Sequence, residues 1–376
     1  MSGQRFIPIN KPTIGRDEVN AVINVLRTGM LTDRVGAGKN VSAFEEAYAK
    51  YIGCKYGAAV NSGTAALHSS IMALGIGPGD EVIVPSFTFV STAEVVAVSG
   101  AMPVFVDIDP ETYCMSPESM KMGITSKTKA VIPVHLYGLT ANMKPIVEEA
   151  HKRHIAVIED AAQAHGAQYM GQMAGNLGDL GCFSFYASKV MTTGEGGMVT
   201  TSKKSYVERI RLVRDHGEGS LYSPEMFGYN YRMPEMEGAI GLVQLRKIPR
   251  ILEARRRNAK ILSEELKGVG ELELPVEPKG YSSCWNVYTV RLRGARAGKR
   301  NKVVQKIRDK GIGVVIYYPT PIHLIPYYMR LYDCRRGDLP ETEKASNQVF
   351  SLPVHQSLSK EDLMYIVDTL KKVLAS

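Results

Sequence analysis

Five short apolar runs, at 58–60, 82–84, 104–106, 130–134 and 156–158, punctuate the first half of the chain, with helical stretches between most of them. A strand that is apolar on both faces has to be covered on both faces, and strands joined through helices return in the same direction. The alternation therefore specifies an α/β fold, a largely parallel sheet between helical layers. Ahead of it, Val19, Val22, Ile23 and Leu26 fall at i, i+3, i+4 and i+7, which predicts a helix with one buried stripe, ended by Gly29. A second helix carries Val41, Phe44, Tyr48 and Tyr51 on one face.

The texture changes after Pro234. A long helical stretch through Ile240, Leu242, Val243, Leu245 and Ile248 leads into a basic run, then strands such as 287–291 and two further helices. Single cores stop growing at roughly 250 to 300 residues, and the chain has 376. We expect a large α/β domain over 1–249 and a smaller α+β domain over 250–376.

The net charge of +8 would favour nucleic acid only if it gathered on one face. Its denser stretches, 246–260 and 291–302, read as solvated helix and loop faces, and no nucleic-acid partner is expected. Five scattered cysteines without metal or dithiol spacing suggest a reduced, cytoplasmic protein and no metal site. The most apolar stretch, 95–106, is interrupted by Gly100 and Pro103, so no membrane span is expected.

Ligands of open α/β sheets bind beyond the carboxyl ends of the strands, and four such places carry chemistry. Ser62, Gly63, Thr64 and Ala65 follow a strand and open a helix, where free amides and the positive helix end suit a phosphate. Asp160 closes the run at 156–158; a buried carboxylate there needs a cation, such as a protonated pyridine nitrogen. Gln163 follows it and could meet a second edge of the same ring. Lys189, after the apolar 183–186 and before a Gly- and Thr-rich loop, is placed for a neutral, nucleophilic amine. Phe89, past the run at 82–84, could stack on a flat heterocycle. Phosphate cradle, stacking ring, acid and Schiff-base lysine are together what pyridoxal phosphate (PLP) requires. Asp160 would keep the ring nitrogen protonated and Lys189 would carry a proton between carbon centres.

On the motifs 60–68, 77–82, 158–166, 194–198 and 228–233, the chain resembles the DegT family of sugar-nucleotide aminotransferases from about Ile7 to Leu374. It looks most like members that aminate the 4-keto carbon of a 6-deoxyhexose, as perosamine synthases do. The resemblance implies a fold-type-I, PLP-dependent homodimer with active sites shared between chains, using L-glutamate and a nucleotide-sugar. It implies that Thr64 and Ala65 bind phosphate through their backbone, Ser184 through its hydroxyl and Asn230 from the neighbouring subunit. Phe89 stacks, Asp160 and Gln163 hold the ring, and Lys189 bonds the cofactor. Met30, Glu195, Tyr231, Arg232 and His323 are the candidates for substrate contact.

The chain departs from the family in having Met30 where tryptophan is frequent and Ala187-Ser188 before the lysine in place of Pro-Thr. Its stretch 33–39 is also longer than in many relatives. Related dehydratases typically carry histidine at the lysine position, so Lys189 argues for transfer; a non-catalytic regulator would keep the fold without the chemistry. A dinucleotide site is set aside because Gly75, Gly77 and Gly79 follow a helix and precede a strand, the reverse of the order a pyrophosphate loop needs.

Overall fold

In the computed structural model, which describes residues 5–32 and 38–375, the apolar runs become β1 (Tyr56–Val60), β2 (Glu81–Pro85), β3 (Met102–Val106), β4 (Thr128–Val131) and β5 (Ala156–Asp160). With β6 (Leu180–Ser184) and β7 (Gly197–Thr201) they form one seven-stranded sheet in the order β1-β7-β6-β5-β4-β2-β3. Only β7 runs against its neighbours, β1 and β6; the other pairings are parallel. The fourth run ends as a strand at Val131, before Pro133, which has no N–H to give a ladder, and Val134 retains a single bridge to Asp160.

Side chains of successive strand residues point to opposite faces, and each face has its own cover. Val82, Val84 and Ile158 pack with α3 (Gly63–Ala73), α4 (Ser91–Val98) and the helix Lys204–Arg214. Ile83, Val131 and Val157 pack with the helices Pro117–Met122 and Met143–Lys152. This two-sided burial is why the strands read as unbroken apolar runs.

Glu235–Leu266 is one continuous helix with Pro249 inside it, so the boundary expected at 249/250 falls within a helix. Beyond it a three-stranded antiparallel sheet, Leu272–Glu273, Tyr288–Leu292 and Val349–Leu352, packs with the helices Arg300–Arg308 and Lys360–Ala375 into a second core. Ile7 is buried in that second core and bridges Ile312. The N-terminal segment therefore joins the C-terminal core, a contact too distant in sequence to leave a local pattern.

Two sequence expectations are overturned. In α1 (Arg16–Thr28) the stripe is not buried: Val19, Ile23 and Leu26 are exposed, and the buried positions are Glu18 and Val25. The reason is a polar anchor, since Glu18 accepts from Lys247 Nζ (2.6 Å) and Gln244 Nε2 (2.7 Å) of the long helix, turning the apolar stripe outward. The basic stretches are not wholly solvated faces either. Arg255 and Arg300 are buried, their guanidinium groups held by carbonyl oxygens of Trp285, Asn286 and Val349, while Arg293 and Arg296 pair with Glu273 and Glu271.

No described helix is long and apolar enough to cross a membrane.

Candidate active site

The site is assembled at the carboxyl ends of β1, β2, β5 and β6. Because faces alternate along β5, its two terminal acids separate. Glu159, fully buried, accepts from His135 Nε2 (2.8 Å) and from the amides of Gly175, Leu177 and Gly178 (2.7 Å each), so it fastens a loop. Asp160 lies on the face shared with α3 and α4. Its carboxylate accepts from Thr92 Oγ1 (2.9 Å) and from the Ala162 amide (3.2 Å), and no helix follows for it to cap. Burial pushes its pKa up, against the opposing pull of Thr92, Ala162, Lys189 and His135.

Lys189, half-buried, follows β6 in a loop closed by two threonines. Thr192 Oγ1 donates to Phe185 O (2.8 Å) and accepts from the Gly194 amide (2.9 Å), and the Thr193 amide donates to Phe185 O (3.0 Å). Asn10 Nδ2 holds the carbonyl of Ser188 at 2.7 Å. Desolvation lowers the pKa of the Lys189 amine, opposed chiefly by Asp160. Each group thus acts on the other's ionisation, as an amine and an acid beyond the ends of neighbouring parallel strands can.

At the other end, Ser62 caps α3 by accepting from the Ala65 amide (3.0 Å). This uses one of the amides expected for phosphate and leaves those of Gly63 and Thr64 as helix donors without an intrahelical partner. Gly63 has no room for a side chain, because a Cβ there would lie 2.7 Å from Ser184 Cβ. The absent methyl lets the helix start press against Ser184, bringing hydroxyl and amides together. Thr64 Oγ1 is engaged with Ser91 Oγ at 2.8 Å.

The two phenylalanines after β2 are told apart by burial. Phe87 is core, ringed by Tyr113, Tyr137 and Tyr318, whereas Phe89 is 57% exposed and free to stack. Gln163 is buried; its Oε1 accepts from the Tyr137 amide (3.0 Å) and its Nε2 donates to Tyr318 Oη (2.9 Å), which leaves one amide hydrogen for a ligand.

Of the expected substrate contacts, Glu195 and Arg232 come together. With Thr32, Ser62, Asn230 and Glu237 they line a cleft of about 570 Å³. Burial and the nearby Glu195 push Glu237 up to about 7, and Arg232 pairs with Asp215. Tyr231 is not brought there, since its hydroxyl bonds His68 Nδ1 at 3.0 Å. Met30 stands exposed two residues before Thr32. His323 is buried, its Nδ1 2.6 Å from Ser86 Oγ and its Nε2 3.3 Å from Glu343, so it ties a strand end to a helix. The longer stretch noted at 33–39 falls mostly on residues 33–37, outside the described residues. A larger cleft of about 1160 Å³, between α2 (Lys39–Ile52), β1 and the helix Lys204–Arg214, holds none of the expected site residues.

Sequence reasoning missed Thr92 and His165. Thr92 follows Thr88 at helical spacing beside a strand end, a signal available but unread. His165 was inside a quoted motif without a role. Fully buried, it donates Nε2–H to the Ser184 carbonyl (2.8 Å), so Nδ1 is the acceptor for Tyr48 Oη (2.7 Å). Burial holds its pKa down at about 3. A histidine depressed in the folded state contributes stability at neutral pH that is lost as pH falls from about 6.5 toward 3. His165→Gln is therefore expected to flatten the decline of the urea midpoint between pH 6.5 and 4, and an unchanged slope would contradict it.

The donor set suits PLP throughout: an acid for a ring nitrogen, an amine for an aldehyde, an open aromatic face, and amides with a hydroxyl for a phosphate. Fold and site together define a PLP-dependent sugar aminotransferase of fold type I. The chain belongs to the DegT/DnrJ/EryC1/StrS aminotransferase family, whose model matches residues 12–371. It is 37% identical to GDP-perosamine synthase of Caulobacter vibrioides over 378 residues, all of both chains. It is 39% identical to the UDP-N-acetyl-3-dehydro-alpha-D-glucosamine 3-aminotransferase of Acidithiobacillus ferrooxidans over 338 residues, 90% of this chain and 89% of that one. Its fold is similar to that of Spr1654 of Streptococcus pneumoniae in its PLP form, with a TM-score of 0.93, 29% identity and 99% of each chain covered.

Proposed function

We propose that this chain transfers the amino group of L-glutamate to a nucleotide-linked keto-sugar, a 4-keto-6-deoxyhexose in the first instance. The observation that carries the reading is that Asp160 ends β5 and Lys189 follows its parallel neighbour β6, close enough for each charge to act on the other. When bound, PLP supplies an aldehyde that captures amines and a ring that takes up electrons. Asp160 holds a proton on the ring nitrogen. Phe89 fixes the ring plane, while Ser184 and the amides of Gly63 and Thr64 hold the phosphate. Lys189 Nζ would take a proton from the donor's α-carbon and, in the second half of the cycle, deliver one to the sugar carbon that receives nitrogen, a role that its lowered pKa favours. Glu195 and Arg232 are assigned to the sugar-nucleotide side, with Met30, Tyr231 and His323 kept outside direct contact.

The relatives named above differ in nucleotide and sugar at similar identity, so identity alone does not choose the acceptor. The test is a screen of GDP- and UDP-linked keto-sugars with L-glutamate. Formation of an amino-sugar from a 4-keto-6-deoxyhexose supports the reading, and amination at another carbon only would overturn it.

A homodimer belongs to the same proposal. It is supported by the outward apolar stripe of α1 (Val19, Ile23 and Leu26) and by the exposure of Asn230, which is assigned to the neighbouring chain's phosphate. Mixed dimers of Asn230→Ala and Lys189→Ala chains are expected to regain activity, because one site in each keeps both residues; inactive mixtures would contradict shared sites. The five free cysteines fit a reducing, cytoplasmic setting.

A further inference from the structure

The first turn of α4 touches both ends of the cofactor site. Ser91 Oγ meets Thr64 at the phosphate end (2.8 Å), and the next residue, Thr92, donates to Asp160 Oδ2 at the ring-nitrogen end (2.9 Å). Thr92 is fully buried and Thr88 nearly so, with their hydroxyls 3.2 Å apart. A hydroxyl has one hydrogen. While Thr92 spends its own on the carboxylate, the bond between the threonines must run from Thr88 to Thr92. The two form a directed chain that ends on Asp160, and donation into a hydroxyl strengthens the bond it makes onward. Thr88 adjoins Phe89, so one short segment carries the stacking ring and the donor to the acid.

We propose that Thr92, primed by Thr88, is the positioning residue that keeps the Asp160 carboxylate ionised and aimed at the cofactor ring. A hydrogen bond to the charged form of a buried acid offsets the desolvation that favours its neutral form. The other groups that act on Asp160 or feel its charge are Lys189 after β6, His135 after β4, Cys182 on β6 and Tyr318 from the segment before His323. Of these, the aromatic and thiol groups are raised by burial and stay neutral near pH 7, His135 spends both ring nitrogens on Glu159 and the Ala141 amide, and Lys189 bonds the cofactor. Thr92 is thus the side-chain hydrogen bond left to the acid. Without it the carboxylate is more basic, competes for the ring nitrogen's proton and weakens the electron uptake on which proton removal depends. The last step rests on the assignment of Asp160 to the ring nitrogen; the effect on Asp160 itself does not.

The test uses aspartate carboxyl-labelled protein without cofactor, Asp160→Asn identifying the resonance. In Thr92→Val the Asp160 titration is expected to move up by about one pH unit, and in Thr92→Ser to stay within a few tenths. Thr88→Val should give a smaller shift in the same direction, and decides the matter if Thr92→Val does not fold. In PLP-loaded protein, the L-glutamate-driven change in visible absorbance should slow about tenfold in Thr92→Val, the equivalent of one pKa unit, and less than twofold in Thr92→Ser. An unmoved titration in Thr92→Val, or an equal shift in Thr92→Ser, overturns the proposal. A protein that ignores glutamate yet shows the Thr92 shift would sink the transferase reading and leave this one standing.

Discussion

Lys189→Ala is expected to lower turnover by at least about a thousandfold, the scale lost when a nucleophile that also carries the proton is removed, while the protein stays folded. Both halves follow from one property. Burial lowers the lysine's pKa, which means the cavity disfavours the ammonium form, so the fold gives up little when the amine goes. On the proposed assignment, the chemistry gives up the group that bonds the cofactor and the base that moves the proton. Circular dichroism and the melting temperature should match the parent. PLP should still bind through Ser184, the α3 amides and Asp160, but be removable by dialysis. Activity above about one per cent of the parent would contradict the assignment.

The second large effect is at Asp160. Asp160→Asn keeps the shape and removes the charge, and kcat is expected to fall by about a hundredfold or more, as when a preorganised electrostatic partner is lost. The stability of the cofactor-free protein should move the other way. Because burial raises the folded-state pKa of Asp160, its contribution is most favourable below the unfolded carboxylate value and is lost as pH rises through the raised one. Above that raised value the parent carries an ionised acid that the fold disfavours. The asparagine variant should melt no lower than the parent without cofactor, and lower than the parent when both are saturated with PLP. An active site that costs its fold stability until the ligand arrives is a recurrent trade. Equal melting behaviour in both states would contradict it.

Much of this was legible in the primary structure, for reasons that can be traced. The sheet was visible because strands covered on both faces leave apolar runs, and the placement of Lys189, Asp160 and the turn at 62–65 past strand ends was visible because each follows such a run. Phe89 was separable from Phe87 only as a choice until burial divided them. What stayed hidden depends on contacts between distant segments. Nothing local marks Glu18 as the anchor that turns the α1 stripe outward, Ile7 as part of the C-terminal core, or Arg255 as a buried cation held by carbonyls. Nor does any local pattern mark the bonds of His323 to Ser86 and Glu343, or of Tyr231 to His68. Thr92 was overlooked because a threonine in the first turn of a helix is ordinarily a cap, and only the face of β5 that meets α4 makes it a donor to Asp160.

Borohydride reduction of the PLP-loaded protein, followed by peptide mapping, bears most directly on the account. It predicts one stably labelled peptide, containing Lys189, and no label in Lys189→Ala. Label on a peptide from elsewhere in the chain would show that the acid, the cradle and the exposed ring described here surround the wrong amine.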